Sequence, residues 1–313
     1  MKKIIAVVGA TGTQGGGLAR AILHDPDSPF RLRTLVRNPQ SEKALELGRQ
    51  GAEIVQANLS DPASIKAAFE GAYGAFCVTN FGELGTPEKE LEQIANMAEA
   101  AKEAELQHVI WSTLDDPLQL VSLDDERIPT VMGKHKLPQA EGKAAGNHEF
   151  IRRNIPTTFL LTSFYWENFL YPGMGPTLNT DGVLSLTLPM GQRKLPGIGA
   201  EDIGRCAYGI FKSGDEYIGQ TVGIAGGHLT GQEMAAAFSQ VLNQKVHYHA
   251  VEDRVFRHSE ALELSILANT YQFYHDFEEE YCGARNLEQS KQLNPAMQTL
   301  EDWITRHKDS FPF

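Results

Sequence analysis

The stretch Val7-Val8-Gly9-Ala10-Thr11-Gly12-Thr13-Gln14-Gly15-Gly16-Gly17 follows directly on the apolar run at the start of the sequence. Within it, Gly9, Gly12 and Gly15 form the pattern G-x-x-G-x-x-G, a spaced variant of the G-x-G-x-x-G fingerprint of dinucleotide-binding loops. One glycine permits the tight turn, a second lets a pyrophosphate approach the backbone, and the third allows the next helix to pack on the strand. The alternative interpretation is a glycine-rich turn that binds no ligand.

The segments on either side of this loop favour the dinucleotide interpretation. A strand is predicted before the loop at Ile4–Val8, and a helix after it near Gly16–His24. Such a helix directs its unpaired amide groups and its positive dipole end at bound phosphates. The side chains of Thr11, Thr13 and Gln14 can add hydrogen bonds. The predicted contacts of the loop are Gly9, Ala10, Thr11, Gly12, Thr13, Gln14 and Gly15.

Short apolar segments alternate with helical segments through the first half of the sequence. They are continuously apolar, which is typical of strands that are buried on both faces of a parallel sheet. The clearest helix is predicted from Pro87 to about Ala104, with Thr86 as its cap. This alternation predicts an α/β protein with a doubly wound parallel sheet of the Rossmann type. The predicted strands are Ile4–Val8, Leu32–Val36, Glu53–Gln56, Ala75–Val78 and Val109–Trp111.

The second half is less regular and predicts a smaller C-terminal α/β lobe. Its predicted elements are a helix at Glu141–Arg153 and strands at Thr158–Leu161, Val183–Leu188 and Thr221–Ile224. Glycines and prolines, Pro196 among them, are expected to interrupt the chain between these strands. From about His258 onward the sequence reads as helical and acidic. We expect residues 1–160 to form the dinucleotide-binding domain, and residues 161–313 to form the lobe, with segments that return to the main sheet.

Composition and charge argue against several kinds of partner. The net charge of −12 repels the phosphates of nucleic acids and anionic lipids, so we expect neither direct nucleic-acid binding nor membrane binding. The three cysteines, Cys77, Cys206 and Cys282, predict no disulfide framework and fit a reducing, cytoplasmic compartment. His247 and His249 share one face of a predicted strand, but no third ligand has suitable spacing, and no metal site is expected.

The sequence after the second strand predicts NADP rather than NAD. NAD-specific folds place an acidic residue on the ribose hydroxyl about 20 residues past the glycines. Here that place reads Leu35-Val36-Arg37-Asn38-Pro39 and contains no acid. The guanidinium of Arg37 is always charged and suits a 2′-phosphate, with Asn38 and Lys43 as further contacts. The alternative is an arginine exposed at the end of a strand.

Two more strand ends belong to the predicted site, because ligands of such sheets bind at the carboxyl ends of the strands. Asn58 follows the third strand and is expected beside the adenine. The segment Val78-Thr79-Asn80-Phe81 ends the fourth strand, beneath the expected nicotinamide ribose.

Several segments together carry a family resemblance. They are the glycine loop, Val36-Arg37-Asn38-Pro39, Val78-Thr79-Asn80-Phe81, Phe164-Tyr165-Trp166-Glu167-Asn168-Phe169, and the tail Leu293-Asn294-Pro295 with Leu300-Glu301-Asp302-Trp303-Ile304 and His307-Lys308. They resemble the NmrA-like family of atypical short-chain dehydrogenase/reductases. The resemblance implies a Rossmann domain, a small C-terminal lobe and NADP in the cleft between them. The cofactor contacts that it implies are Gly9 through Gln14, Arg37, Asn58, Leu59, Thr79, Asn80 and Phe81, with Tyr165, Trp166, Glu167 and Asn168 closing over the nicotinamide side.

The family resemblance also implies two kinds of function. Some members are redox-responsive regulators that sense the nicotinamide pool and bind protein partners. Close relatives are reductases that act on quinones or phenolic ethers. The two differ in whether the site can transfer a proton as well as hold a cofactor.

Short-chain dehydrogenases catalyse with Tyr-x-x-x-Lys and a serine after the fifth strand. Ser112 and Lys143 fit the serine and the lysine, but Gln139 occupies the tyrosine's place and has no titrating proton. Lys143 can still hold the nicotinamide ribose or protonate a substrate; the alternative is a solvated helical lysine. We therefore expect an NADP(H)-binding redox-sensing regulator with weak or no catalysis and a protein partner. The alternative is an NADPH-dependent oxidoreductase for a quinone or another conjugated carbonyl, which would use Lys143 and Ser112.

Overall fold

A computed structural model of the chain describes residues 2–179, 182–251 and 261–311. Its main sheet has seven strands, all parallel: β1 (Lys3–Val8), β2 (Phe30–Val36), β3 (Glu53–Gln56), β4 (Gly74–Cys77), β5 (His108–Thr113), β6 (Thr157–Leu161) and β11 (Thr221–Gly223). Their spatial order is β11-β6-β5-β4-β1-β2-β3. The order reverses at β1, which makes the sheet doubly wound and confirms the predicted Rossmann class.

Helices connect the strands of this sheet. They are α1 (Thr13–His24), α2 (Glu42–Arg49), α3 (Pro62–Phe69), α4 (Phe81–Leu84), α5 (Pro87–Glu103), α6 (Pro138–Ile151) and α7 (Ala200–Lys212). The hydroxyl of Thr86 caps α5 by accepting the amide of Lys89, as the sequence predicts. The helix α6 begins three residues earlier than predicted. Pro138 suits its first position, and Glu141 accepts the amide of Leu137, which precedes it.

Two glycines allow α1 and α7 to pack with their backbones in contact. A Cβ on Gly17 would lie 2.4 Å from the carbonyl oxygen of Glu201, and a Cβ on Gly204 would lie 2.0 Å from the amide nitrogen of Leu18. No side chain fits at either position. The glycines in the first turns of α1 therefore serve two contacts, Gly15 with the loop before the helix and Gly17 with α7.

The remaining strands form two small sheets in the second half of the chain. The strands are β7 (Phe164–Tyr165), β8 (Thr177–Leu178), β9 (Leu184–Leu188), β10 (Lys194–Ile198), β12 (Gly227–Thr230) and β13 (Val246–Ala250), in the orders β12-β10-β7 and β13-β9-β8. The helices that accompany them are α8 (Gly231–Leu242), α9 (Leu262–Asp276), α10 (Glu278–Gly283), α11 (Leu287–Leu293) and α12 (Leu300–His307). An aromatic cluster that includes Trp166, Phe169, Phe238 and Trp303 fills the core between them.

The lobe differs from the sequence prediction at β10, where Pro196 was expected to break the chain. Pro196 lies inside the strand and pairs with His228 of β12. Pairing of β10 with β7 begins only at Gly197, so Pro196 leaves no ladder position unfilled on that side. His258, where the acidic helical end was predicted to begin, lies outside the described residues.

Two further expectations concern metals and membranes. The exposed His247 and His249 lie on β13, and within the described ranges no group of three or more histidine, cysteine, aspartate or glutamate residues is arranged to hold a metal ion. In the same part of the chain, no helix combines the length and the apolar character needed to cross a membrane.

Candidate functional site

A groove of about 1010 Å³ runs along the carboxyl ends of β1 to β5, where the strand order reverses. Open α/β sheets bind their ligands at this place, and the volume is at the upper end of typical ligand sites. The predicted residues that line it are Gly9, Thr11, Gly12, Thr13, Gln14, Gly15, Arg37, Asn58, Leu59, Thr79, Asn80, Phe81, Lys143, Tyr165 and Asn168. Six other predicted residues do not line it: Ala10, Asn38, Lys43, Ser112, Trp166 and Glu167.

The glycine loop has the backbone geometry that a phosphate-binding turn requires. Gly9 adopts a φ of +68°, which favours glycine, and its carbonyl accepts the amide of Gly12 at 2.9 Å. A Cβ on Gly15 would lie 2.5 Å from that same carbonyl oxygen, so only glycine lets α1 start against β1. Gly12 precedes α1, and no side chain caps the helix there. The first amides of α1 are therefore left for an anion in the groove.

A second cavity of about 560 Å³ opens on the other side of the glycine loop. Ala10 lines this cavity rather than the groove, together with Arg20, Lys43 and Arg49. Glu42 and Glu46 line it as well, and Arg49 is paired with Glu46, so the cavity carries charges of both signs. Lys43, expected as a helper of Arg37, thus lies beside the loop, in the adjoining cavity.

Gln14 links the glycine loop to β5 and to the lobe. The hydroxyl of Ser112 donates to its Oε1 at 2.8 Å, and its Nε2 donates to the phenol oxygen of Tyr165. Ser112 is buried, so its hydroxyl reaches the groove only through Gln14. Burial raises the pKa of the Tyr165 phenol above its ordinary value, which keeps this groove-lining group neutral. Ser112 is therefore placed to position Gln14.

Arg37 leaves the end of β2 and forms an ion pair that the sequence did not predict. Its Nη1 lies 2.8 Å from Oε2 of Glu83, and its Nη2 lies 3.3 Å from Oε1 of the same carboxylate. The side chains are 74% and 52% exposed. Although no acid follows β2 in the sequence, α4 brings one to the same place.

The loops after β3 and β4 hold the remaining predicted contacts through local hydrogen bonds. The carboxamide oxygen of Asn58 accepts the amide of Ser60 at 3.0 Å, an Asx turn. The carboxamide oxygen of Asn80 accepts the amide of Gly82 at 3.1 Å and so caps α4. These bonds fix the two loops along the groove beside Leu59 and Phe81, which also line it.

Lys143 reaches the groove from α6 and belongs to a buried polar cluster. Its Nζ lies 3.0 Å from Oε1 of Glu90 and donates to the hydroxyl and the carbonyl oxygen of Thr79 at 2.8 and 3.1 Å. The Thr79 hydroxyl donates to Glu90 at 2.7 Å. Burial lowers the pKa of Lys143, and Glu90 opposes this effect by stabilising the cation. Lys143 is therefore not a solvated surface lysine.

Glu90 was not predicted as a site residue, although its place on the apolar face of a predicted helix indicates a buried carboxylate. It is fully buried, and it shares the buried face of α5 with Ile94, Met97 and Ala101, which follow it by four, seven and eleven residues. A carboxylate on an apolar stripe needs a partner, and Lys143 is that partner. Glu83 carried no such signal, because its role depends on where α4 lies relative to β2.

The segment after β6 divides between the groove and the core of the lobe. Tyr165 and Asn168 line the groove, but Trp166 is buried with its ring centroid 6.4 Å from that of Trp303. Glu167 accepts the amide of Ala200 at the start of α7 and the indole N–H of Trp303, the latter at 3.0 Å. Of the four residues expected to close over the groove, only Tyr165 and Asn168 line it, whereas Trp166 packs in the lobe and Glu167 joins α7 to Trp303.

Gln139 lies one helical turn before Lys143 on α6 and lines the groove. Its Nε2 donates to the hydroxyl of Thr270 on α9 at 2.9 Å. Tyr171 also lines the groove and is 65% exposed. An amide and an exposed aromatic ring therefore belong to the lining of the groove, together with Lys143.

Comparisons with known proteins place the chain in a family. The model of the NmrA-like family matches residues 1–304. An NmrA-like family domain-containing protein of Dictyostelium discoideum is 29% identical over 88% of this chain and 90% of its own length. The NmrA-like family domain-containing oxidoreductase hkm9 of Aspergillus hancockii is 30% identical over 80% of this chain and 76% of its own length.

Solved structures show the same fold. NmrA, described as a negative transcriptional regulator, superposes with a TM-score of 0.80 at 23% identity, over 97% of this chain and 95% of that one. Its complex with NADP superposes with a TM-score of 0.77 at 24% identity, over 97% and 94% of the two chains. Together with the family match over nearly the whole sequence, these likenesses show that this chain belongs to the NmrA-like family.

Proposed function

We propose that this protein binds NADP(H) in the groove and acts as a redox-sensing regulator with weak or no catalysis. The observation that carries the binding proposal is the glycine loop, with its left-handed Gly9 and the uncapped start of α1 facing the groove. A pyrophosphate fits such a loop because backbone amides and the helix dipole both favour an anion. The NADP complex of NmrA, which has the same fold, supports the choice of ligand.

Each part of the dinucleotide has proposed contacts along the groove. The loop amides and Gln14 would hold the pyrophosphate, and Arg37 the 2′-phosphate. The adenosine would lie along Asn58 and Leu59, and the nicotinamide ribose along Thr79, Asn80, Phe81 and Lys143, with Tyr165 and Asn168 on the nicotinamide side. When bound, the nicotinamide would supply hydride chemistry.

The regulatory role is proposed because the side chains at the three catalytic positions of short-chain dehydrogenases are not available to transfer a proton to a substrate. Gln139 has no proton to transfer, Lys143 is held by Glu90 and Thr79, and Ser112 is buried against Gln14. General acid–base help is typically worth about 10²–10⁴ in rate, so its weakness favours sensing over turnover. Because the net charge of −12 disfavours nucleic acid, such a regulator would act through a protein partner. The described cysteines are free thiols, which fits a cytoplasmic setting.

The second candidate function is an NADPH-dependent oxidoreductase that acts on a quinone or another conjugated carbonyl. The observation in its favour is the apolar and aromatic lining that Leu114, Tyr165 and Tyr171 give the groove that Lys143 also lines. A flat aromatic substrate fits such a wall. The relative from A. hancockii is named an oxidoreductase, which supports this alternative.

Calorimetric titration with NADP⁺ and NADPH, followed by NADPH consumption with a panel of quinones, separates these functions. A sensor must distinguish its ligands by differential affinity, so we expect dissociation constants that differ by about fivefold or more. Equal affinity for the two forms contradicts redox sensing. Rapid NADPH consumption with a quinone would establish the oxidoreductase instead, and absence of binding by either form would refute the groove as a cofactor site.

A further inference from the structure

The ion pair between Arg37 and Glu83 has the geometry that a 2′-phosphate would need for itself. Both terminal nitrogens of the guanidinium face the two carboxylate oxygens, at 2.8 and 3.3 Å. This forked arrangement is the one that arginine uses with phosphate. Glu83 therefore occupies the face of Arg37 on which the proposed function depends.

The fold holds Glu83 at this place. The short helix α4 is capped at its start by Asn80, and it ends at Gly85, whose φ of +75° closes the turn as its amide donates to Phe81 at 2.7 Å. On the other side of the pair, the carboxamide of Gln56 donates to the carbonyl oxygen of Arg37 at 3.2 Å. The backbone on both sides of the pair is therefore anchored to the edge of the groove.

We infer that Glu83 is a specificity residue that lowers the preference of the groove for NADP(H) over NAD(H), by competing with the 2′-phosphate for Arg37. The inference rests on the proposed function, because it assumes that a dinucleotide lies in the groove. A 2′-phosphate can bind the guanidinium only after it displaces this carboxylate. NAD(H) carries a neutral hydroxyl there and meets no such cost.

The size of the effect follows from exposure. An exposed ion pair contributes little, since water and salt screen it. We therefore expect removal of the Glu83 charge to tighten NADP⁺ binding by about two- to tenfold, and to leave NAD⁺ binding unchanged. The gain depends on Arg37 and should vanish when the guanidinium is absent.

The experiment measures dissociation constants for NADP⁺ and NAD⁺ by calorimetry in the full-length chain. The variants are Glu83→Gln, Arg37→Ala and their combination. Glu88→Gln is the matched control, because it removes an exposed carboxylate that pairs with Lys134 instead. The inference is supported if Glu83→Gln tightens NADP⁺ alone, the control does not, and the gain is lost in the Arg37→Ala background.

Other outcomes overturn the inference. Competition for the guanidinium is wrong if Glu83→Gln changes the affinities for NADP⁺ and NAD⁺ alike, or if the gain in NADP⁺ affinity persists without Arg37. Neither result contradicts the cofactor site itself. If the wild-type chain binds neither dinucleotide, the proposed function fails and this inference fails with it. The wild-type titration therefore distinguishes the two failures.

Discussion

The ammonium of Lys143 lies 3.0 Å from a carboxylate oxygen of Glu90, which is fully buried between α5 and α6. The space for this carboxylate depends on Gly142, since a Cβ there would lie 2.7 Å from the second oxygen of Glu90. Two helices thus enclose an ion pair directly beneath the groove. Breaking a buried pair by removing one partner is costly, because the other charge stays buried without compensation.

We predict that Glu90→Gln lowers the free energy of unfolding by about 3–5 kcal/mol at pH 7 and by less at pH 9.5. Burial lowers the pKa of Lys143 in the folded state. Between that pKa and the ordinary lysine value, the unfolded chain binds more protons, so stability rises with pH. Glu90 opposes the decrease in the pKa of Lys143, so its loss lowers this pKa further. The pH range over which stability rises then extends to lower pH.

Urea unfolding at the two pH values measures this effect. The double variant Glu90→Gln with Lys143→Met removes both charges. It should recover part of the stability that Glu90→Gln loses at pH 7. A deficit of Glu90→Gln that is the same at both pH values would show that the Lys143 charge is not its cause.

We predict that Arg37→Ala weakens NADP⁺ binding by about 1.5–3 kcal/mol, a factor of about 10 to 150, and leaves NAD⁺ binding nearly unchanged. The reason is the loss of a charge-assisted bond to the 2′-phosphate. Calorimetric titration of both dinucleotides checks it. Arg49→Ala is the control, because Arg49 lines the smaller cavity and pairs with Glu46. Equal losses for NAD⁺ and NADP⁺ in Arg37→Ala would remove the claim that this residue sets specificity.

The parts of the site that could be predicted from the sequence depend on short-range rules. The glycine spacing requires a turn between a strand and a helix, and β3 begins and ends at the predicted residues. The end of β2 also held Arg37 as expected. These features follow from neighbours in the chain, where periodicity and turn chemistry decide the structure.

The parts that could not be predicted arise from contacts between distant segments. Glu83 meets Arg37 across 46 positions, and Gln14 contacts Tyr165 across 151. Tyr165 lies in the groove and Trp166 in the core of the lobe because the chain turns directly after β7, which ends at Tyr165. Sequence pattern alone does not determine these packings, because they depend on how elements dock.

We predict that Gly12→Val abolishes cofactor binding and leaves a folded protein, whereas Gly15→Val loses stability. A Cβ on Gly12 would lie 3.2 Å from the carbonyl oxygen of Gly9, a contact that a small shift relieves, but its side chain would enter the phosphate site. At Gly15 the Cβ would lie 2.5 Å from that oxygen and 2.7 Å from the carbonyl oxygen of Val8, so β1 and α1 must separate.

Circular dichroism melts and NADP⁺ titration of the two variants test this contrast. Matched melts of wild type and Gly12→Val, together with loss of NADP⁺ binding, are expected. Normal NADP⁺ affinity in a folded Gly12→Val protein would mean that the phosphates lie elsewhere.

The last prediction is that the wild-type protein shows no alcohol dehydrogenase activity of the tyrosine-dependent kind. Gln139 takes the place of the proton donor one helical turn before Lys143, and its amide is bound to Thr270. Loss of general acid–base help should cost about 10²–10⁴ in rate even with a correctly bound cofactor. A quinone differs, because hydride transfer to it gives an anion that solvent can protonate later, so slow quinone reduction is compatible with this site.

The measurement is steady-state reduction of NADP⁺ with a broad panel of alcohols, for wild type, Gln139→Tyr and Lys143→Met. We expect no turnover by wild type or by Lys143→Met. Any alcohol oxidation should appear first in Gln139→Tyr, where a phenol lies one turn from the ammonium of Lys143. If wild type oxidises an alcohol at ordinary dehydrogenase rates and Lys143→Met abolishes this activity, the regulatory role is wrong. In that case Tyr165, the neutral phenol that already lines the groove, is the next residue to test as the proton donor.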